Sequence, residues 1–179
     1  MGENGSAPTL VECKNTVISK KLSAESISKV NGFLKSMGSF NLTFPDQYDT
    51  RDSFSQLISA FLKVQHIHRG KISCIVSVKP PIMNIYGSLH GGAVGAVAER
   101  VAIACARTIV GKDKELFLGE LGLSYLSGAP INAKVIVNAS IIRSGRNLTV
   151  VALDFRLKDS DKLSYVARAT FYHMPVASL

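Results

Sequence analysis

Residues Gly87 to Val110 read GSLHGGAVGAVAERVAIACARTIV and decide the fold of this chain. After the paired glycines almost every residue is apolar, and alanine is a strong helix former. A helix that is apolar on all sides is usually buried, so the stretch predicts a central helix with the other elements packed around it. Two polar features interrupt it: residues 90–92 (HGG) at its start, and Glu99 with Arg100 in its middle.

Glu99 is the unusual residue of this helix, because a buried carboxylate costs free energy unless it is paired or used. One interpretation is an ion pair with Arg100 or Arg107. The other is chemical, since burial would raise its pKa toward the range useful for a general base.

Charge and composition exclude several classes of protein. Glu99, Arg100 and Arg107 cut the apolar run short of the roughly 18 residues of a membrane span, so no membrane span is predicted. The N-terminus is polar and lacks the apolar segment of a secretory signal.

The net charge is +8. A basic surface suits a polyphosphate ligand or is simply solvated. With no Lys/Arg run, no tryptophan and no RNA-binding signature, a nucleic-acid partner is not expected.

The three cysteines show no metal or redox spacing. Cys74 and Cys105 lie in apolar runs, which predicts buried thiols in a reducing compartment. The cytoplasm is favoured, while a peroxisomal or mitochondrial location stays open. The final Leu179 matches only the last residue of the peroxisomal Ser-Lys-Leu signal.

Local patterns predict the order of elements. Ser23 is a helix N-cap, and apolar residues at helical spacing continue to a closing Gly38. Residues 1–20 are expected to be loose, and residues 39–53 form a loop. Strands are predicted over 54–65 (with a helix as the alternative), 71–79, 116–127, 133–143, 148–158 and 163–173. The last three follow each other through short turns and should pair as antiparallel hairpins. The fold class is therefore α+β, one antiparallel sheet around one helix.

The segment from Asn84 to Gly92, NIYGSLHGG, is followed eight residues after Gly91 by Glu99. This spacing resembles the signature of hotdog-fold thioesterases, in particular the PaaI-like and acyl-CoA thioesterase 13-like groups, over roughly residues 54–173. The resemblance implies a hotdog fold in residues 51–179, an antiparallel sheet wrapped around a long central helix. Residues 1–50 are expected to be an N-terminal extension with one extra helix.

The backbone N–H groups at the start of the helix are the expected donors to a substrate. The N–H groups of Gly91 and Gly92 have no intrahelical acceptor, and the helix dipole adds partial positive charge there. Such donors can stabilise the oxyanion of a thioester carbonyl, although two glycines can also serve only a tight turn. The resemblance implies that the Gly91 N–H polarises the carbonyl and that His90 and Asn84 orient this turn and the acid or water. A purely structural His90 is the alternative.

The resemblance also implies that Glu99 is either the nucleophile that forms a mixed anhydride or the base that activates water. Glu99 lies about 12 Å along the helix from Gly91, at 1.5 Å per residue. One subunit cannot bring both groups onto one carbonyl, which predicts a homodimer with two symmetric sites. The resemblance implies a dimer that often pairs into a tetramer.

The family implies two further binding regions. Leu118, Glu120 and Tyr125 would line the acyl and pantetheine channel, but some relatives place a serine at Leu118 that helps to hold water. Gly122 and residues 126–130 also depart from the family pattern. The turn RSGRNL resembles the basic hairpin that meets the nucleotide end of coenzyme A, and arginine suits phosphate; a solvated turn is the alternative. Its residues are Arg143, Ser144, Gly145, Arg146, Asn147 and Leu148.

The resulting hypothesis is an acyl-CoA thioesterase that hydrolyses an acyl- or aroyl-CoA and needs no cofactor. A catalytically weak acyl-CoA-binding protein is one alternative, which Leu118 favours. A hotdog dehydratase or hydratase is the other, and the HGG-to-glutamate spacing fits it poorly.

Overall fold

The computed structural model describes residues 23–36 and 50–175. The chain divides into two compact units, Met1–Thr50 and Arg51–Leu179. In the first unit α1 spans Ala24–Ser36. The Ser26 N–H donates to Ser23 Oγ at 3.1 Å, which confirms the predicted cap. The predicted helix end at Gly38, the loose residues 1–20 and most of the 39–53 loop lie outside the described residues.

The second unit carries one sheet and one long helix. The elements are α2 (Ser53–Phe61), β1 (Leu62–His68), β2 (Lys71–Ser77), a 3₁₀ turn (Pro80–Ile82), α3 (Gly91–Arg107), β3 (Lys114–Tyr125), β4 (Lys134–Ser144), β5 (Leu148–Leu157) and β6 (Leu163–Pro175). The strand order is β1-β2-β4-β5-β6-β3, and every neighbouring pair is antiparallel. The α+β prediction and the pairing of β4, β5 and β6 are confirmed. β3 pairs with β6, so β1 and β3 are the edge strands.

The strand predicted over residues 54–65 is wrong for its first part. Residues 53–61 form α2, and the strand begins only at Leu62. Leu57, Ile58 and Phe61 follow helical spacing, and that spacing buries Ile58 in the core. Strand β2 instead alternates as predicted, with Ile72, Cys74, Val76 and then Val78 buried. The helical alternative was therefore the correct interpretation for residues 53–61.

The helix α3 begins at Gly91 and ends at Arg107. Its buried residues form one face: Ala93, Val94, Val97, Ala98, Val101, Ala102, Cys105 and Ala106. Their small side chains let the helix lie close to the sheet. The expectation of burial on every side is wrong for a single chain, because the sheet covers only that face. Ala96, Glu99 and Ile103 stay partly exposed, and Ala104 is exposed.

None of the helices in the described part of the chain is long and apolar enough to cross a membrane.

Candidate active site

The loop before α3 is organised by the Asn84 side chain. Asn84 Oδ1 accepts hydrogen bonds from the N–H groups of Tyr86 at 3.0 Å and Ser88 at 3.2 Å. The Asn84 N–H donates to the Ser88 carbonyl at 2.8 Å, and Gly87 supplies a positive φ of 77° inside the turn. An Asn side chain that bonds backbone two to four residues ahead shapes a turn locally. Asn84 therefore fixes the path of the chain into the helix.

His90 caps α3 with its ring. His90 Nδ1 accepts from the Gly92 N–H at 2.9 Å, so in the neutral imidazole the proton is on Nε2. The expectation that both glycine N–H groups are free is therefore wrong for Gly92. The Gly91 N–H has no acceptor among residues 23–36 and 50–175. The Ala93 N–H in the same turn also has none, so two backbone donors are left at the positive end of the helix dipole, and of these two residues only Gly91 lines the cavity described below.

Tyr125, at the end of β3, fixes the first peptide of the helix. Its hydroxyl donates to the Gly91 carbonyl at 3.1 Å. The peptide between Gly91 and Gly92 is thus held at its oxygen by Tyr125 and at its N–H by His90. This double anchoring restrains the adjacent Gly91 N–H, which is the group proposed from sequence as an oxyanion donor.

A cavity of about 440 Å³ opens at this end of α3. It brings together the predicted residues Asn84, Gly91 and Tyr125. Sequence reasoning missed several other residues of its lining: Ser88, Leu89, Leu126, Ser127, Gly128 and Tyr165. Residues 126–128 lie where the sequence departs from the family pattern, and that departure was the available signal.

Tyr165 forms the buried wall of the cavity. Its hydroxyl accepts from the Ala129 N–H at 3.0 Å, and its ring meets the ring of Tyr125 edge to face at 5.8 Å. Burial raises the pKa of Tyr165 above its ordinary value. The hydroxyl therefore stays protonated at neutral pH, and this wall carries no charge.

Glu99 lies two helical turns beyond Gly91 and does not line this cavity. Its two expected arginine partners are engaged elsewhere. Arg100 donates to Ser59 Oγ at 2.6 Å, and Arg107 donates to the Lys114 carbonyl at 2.6 Å. The Glu99 carboxylate has no hydrogen-bond or ion-pair partner in the described part of the chain. The structure thus gives no support to the ion-pair interpretation.

The buried thiols offer no competing nucleophile. Burial raises the pKa of Cys74, and it raises the pKa of Cys105 to about 11. A thiolate, and not a thiol, is the nucleophile, so neither cysteine is reactive at neutral pH. Within the described ranges, no group of three or more His, Cys, Asp and Glu side chains could hold a metal ion.

The predicted channel residues of β3 lie on both faces of the sheet. Leu118 packs against the core, and a bulge follows it. At Gly119 a Cβ atom would collide with the Tyr172 ring, so a larger residue would require that exposed ring to move. Beyond the bulge, Glu120 pairs with Arg168 at 3.4 Å, on the face turned away from α3. The structure does not bring Leu118 or Glu120 to the cavity of the same chain.

The basic hairpin Arg143–Leu148 joins β4 and β5, and the Gly145 N–H donates to the Leu148 carbonyl at 2.9 Å. Neither the Arg143 nor the Arg146 guanidinium has a partner among the described residues. Lys114 Nζ donates to the Arg146 carbonyl at 2.9 Å, which places the hairpin at the start of β3. A twelve-residue strand is roughly 36 Å long, so the hairpin and the cavity of one chain lie at opposite ends of β3.

A family model described as the thioesterase superfamily matches residues 86–164. Human acyl-coenzyme A thioesterase 13 is 22% identical over 133 residues, covering 66% of this chain and 92% of that protein. A Caenorhabditis elegans protein named "Putative esterase" is 27% identical over 157 residues, covering 88% of this chain and 83% of that protein.

Among solved structures, zebrafish thioesterase superfamily member 2 superposes with a TM-score of 0.64 at 21% sequence identity. The match covers 72% of this chain and 91% of that chain. The likeness confirms the predicted hotdog fold, an antiparallel sheet wrapped around a long helix.

Proposed function

We propose that this chain is a member of the thioesterase superfamily and an acyl-CoA thioesterase that hydrolyses an acyl- or aroyl-CoA to a free acid and coenzyme A. The observation that carries the proposal is the unpartnered N–H of Gly91 at the start of the helix, together with the position of Gly91 in the lining of the 440 Å³ cavity. A restrained backbone donor aimed at developing negative charge stabilises a tetrahedral intermediate.

The carboxylate of Glu99 supplies the second half of the chemistry. In one route it takes a proton from water as the water oxygen attacks the carbonyl carbon. The C–S bond then breaks, and the proton passes to the leaving sulfur of coenzyme A. In the other route the carboxylate attacks the carbonyl carbon, the C–S bond breaks and coenzyme A leaves as its thiolate. Water then hydrolyses the mixed anhydride to the free acid and the Glu99 carboxylate, and the proton released in this hydrolysis passes to the thiolate. Because Glu99 has no partner in the described part of its own chain, it is free for either role.

A homodimer completes the site. Gly91 and Glu99 of one chain are about 12 Å apart along the axis of α3, and the face of α3 that carries Glu99 is not covered by the chain's own sheet. The free edge of β3 is a ready site for strand pairing. Antiparallel pairing of two β3 edges about a two-fold axis would bring the hairpin end of one chain to the cavity end of the other. Two such dimers would form a tetramer.

The hairpin suits the nucleotide end of coenzyme A. Arg143 and Arg146 are exposed guanidinium groups without a carboxylate partner among the described residues. Guanidinium groups bind phosphate through paired N–H donors.

The proposed channel for the acyl and pantetheine parts of the substrate is lined by Leu118, Glu120 and Tyr125. An aliphatic acyl group would place the enzyme in fatty acid metabolism, with the cytoplasm as the proposed compartment and no cofactor required.

The deciding experiment is a panel of short, long and aromatic CoA thioesters, with release of free coenzyme A measured by a thiol reagent. We expect turnover of at least one member, with equal amounts of acid and coenzyme A. Tight binding without release would favour the second candidate, an acyl-CoA-binding protein, because Leu118 has no hydroxyl with which to hold the attacking water. A panel that is neither bound nor hydrolysed would contradict both.

A further inference from the structure

The basic hairpin rests on a chain of hydrogen bonds that the proposed reaction does not use. Ser144 Oγ lies 2.9 Å from Thr149 Oγ1, and Thr149 Oγ1 lies 2.9 Å from His173 Nε2. The other ring nitrogen of His173, Nδ1, lies 3.0 Å from the Arg146 carbonyl oxygen. The ring of β6 residue His173 therefore ties the base of the hairpin to its tip.

The proton positions of this chain follow from the acceptor at its end. The Arg146 carbonyl can only accept, so His173 Nδ1 carries the proton that it donates. In the neutral ring Nε2 then accepts from the Thr149 hydroxyl, which in turn accepts from Ser144. Every donor has one acceptor. Thr149 is fully buried, and a buried polar group that loses its partner pays its full desolvation cost.

Two further bonds hold the same turn from outside the network. The His173 backbone N–H donates to the Asn147 carbonyl at 2.9 Å. Lys114 Nζ shares the Arg146 carbonyl with His173, at 2.9 Å, and brings a third cation to the hairpin. The backbone at Arg146 and Asn147 is thus fixed by contacts to β3 and β6.

We propose that Thr149 and His173 are positioning residues that hold the 143–148 hairpin in the shape that receives the phosphates of coenzyme A. Through them the chain distinguishes a CoA thioester from the corresponding pantetheine thioester, which lacks the nucleotide. Lys114 adds a phosphate-binding cation to Arg143 and Arg146. A hairpin fixed before binding loses less conformational entropy when the ligand binds. This inference rests on the proposed use of coenzyme A thioesters.

The test compares Thr149→Val, which keeps the shape of the side chain but removes the hydroxyl, with Thr149→Ser, which keeps the hydroxyl. We expect Thr149→Val to raise KM for the CoA thioester about five- to tenfold, with kcat and the KM for the pantetheine thioester within about twofold of wild type. Thr149→Ser should behave as wild type. Lys114→Met, at a partly exposed position outside the buried network, should also raise KM for the CoA thioester alone.

Amide hydrogen exchange gives a readout that needs no substrate. The Gly145 N–H and the His173 N–H both close this turn. We expect both amides to exchange faster in Thr149→Val than in Thr149→Ser, while the amides of α3 are unchanged. The exchange of α3 also reports whether the valine variant keeps its fold.

Two results would overturn the inference. One is a folded Thr149→Val protein with wild-type exchange in the hairpin and wild-type KM for the CoA thioester. The other is an equal rise in KM for both thioesters, which indicates a general structural effect. If the chain hydrolyses no thioester, the affinities of the variants for coenzyme A and pantetheine, measured by calorimetry, replace KM in this comparison. Failure of the proposed thioesterase activity can then be distinguished from failure of the proposed role of Thr149 and His173.

Discussion

Two polar regions of this chain are built in opposite ways. At the start of α3, the side chains of Asn84, His90 and Tyr125 all bond the backbone of their own chain. The second region is a set of charged groups in two places, the middle of α3 and the hairpin between β4 and β5. The Glu99 carboxylate and the Arg143 and Arg146 guanidinium groups there have no partner within the described residues. The first region positions a backbone donor by itself. The second holds charged groups free for water, substrate or a second copy of the chain.

The largest expected effect comes from the unpartnered carboxylate. Glu99→Gln keeps the size of the side chain but removes both the negative charge and the basic oxygen. Turnover should fall roughly 10²–10⁴-fold, while the affinity for a non-hydrolysable CoA analogue and the melting temperature stay close to wild type. Steady-state kinetics and calorimetry on the same preparation measure both quantities.

The matched control for that loss is Asp159→Asn, which neutralises an exposed carboxylate in the turn between β5 and β6. It should leave kcat unchanged. Wild-type hydrolysis by a folded Glu99→Gln protein would remove the proposed distinction between the two regions, because Glu99 would then have no chemical role.

Mixing two inactive variants tests whether the two regions of one chain serve different sites. In a mixed dimer of Asn84→Ala and Glu99→Ala, one site carries both lesions and the other carries none. Random mixing gives about half mixed dimers, so activity should recover to about a quarter of wild type. Each variant alone stays inactive in the same assay.

Exchange of subunits is verified in parallel, with tags of two different masses on the two variants. Confirmed exchange without any recovery would mean that each site draws all its residues from one chain. That outcome rejects the pairing of Glu99 with the Gly91 of another subunit.

Much of the fold was predictable because the buried faces of strands and helices place apolar residues at regular spacings in the sequence. The alternation at Ile72, Cys74 and Val76 specified a half-buried strand, and the apolar residues of α3 specified a helix packed on the sheet. Residues 54–61 were ambiguous because both a strand and a helix can bury Ile58. Only the tertiary contacts choose between them.

The site was predictable where a short motif fixes local geometry and not where distant segments meet. The helix start at Gly91 was predicted from the HGG motif, but the cap by His90 was not, because the bond from the Gly92 N–H depends on the orientation of the His90 ring. The contribution of Tyr165 could not be predicted, since it reaches the cavity from β6, which is distant in sequence from Asn84 and Gly91. Likewise, no local pattern connects Thr149 with His173 across two strands.

A smaller effect is expected at the hairpin. Arg143→Ala combined with Arg146→Ala removes two charges that would touch a remote part of the substrate equally in the ground and transition states. KM for the CoA thioester should rise about tenfold at low salt, with kcat little changed, and the difference should shrink at high salt.

The charge-matched control is Lys158→Ala with Lys162→Ala, at the opposite end of β5. It lowers the net charge by the same amount and should leave KM unchanged. If the control raises KM as much as the hairpin variant does, the effect is long-range steering by the basic surface and not a phosphate contact.

The smallest effect is expected from the self-contained region, at Tyr125. Tyr125→Phe removes the hydroxyl that donates to the Gly91 carbonyl but keeps the ring against Tyr165. One hydrogen bond contributes about 1 kcal/mol, and His90 still holds the other end of that peptide. We therefore expect kcat to fall about fivefold, because a less firmly held Gly91 N–H stabilises the oxyanion of the transition state less well. KM should be unchanged, because the same N–H interacts only weakly with the ground-state carbonyl. Tyr172→Phe, which removes an exposed hydroxyl from β6, is the control for the loss of a phenol. A rise in KM with unchanged kcat would instead mean that the Tyr125 hydroxyl, and not only the ring, contacts the substrate, and His90 would then be the only anchor of the donor.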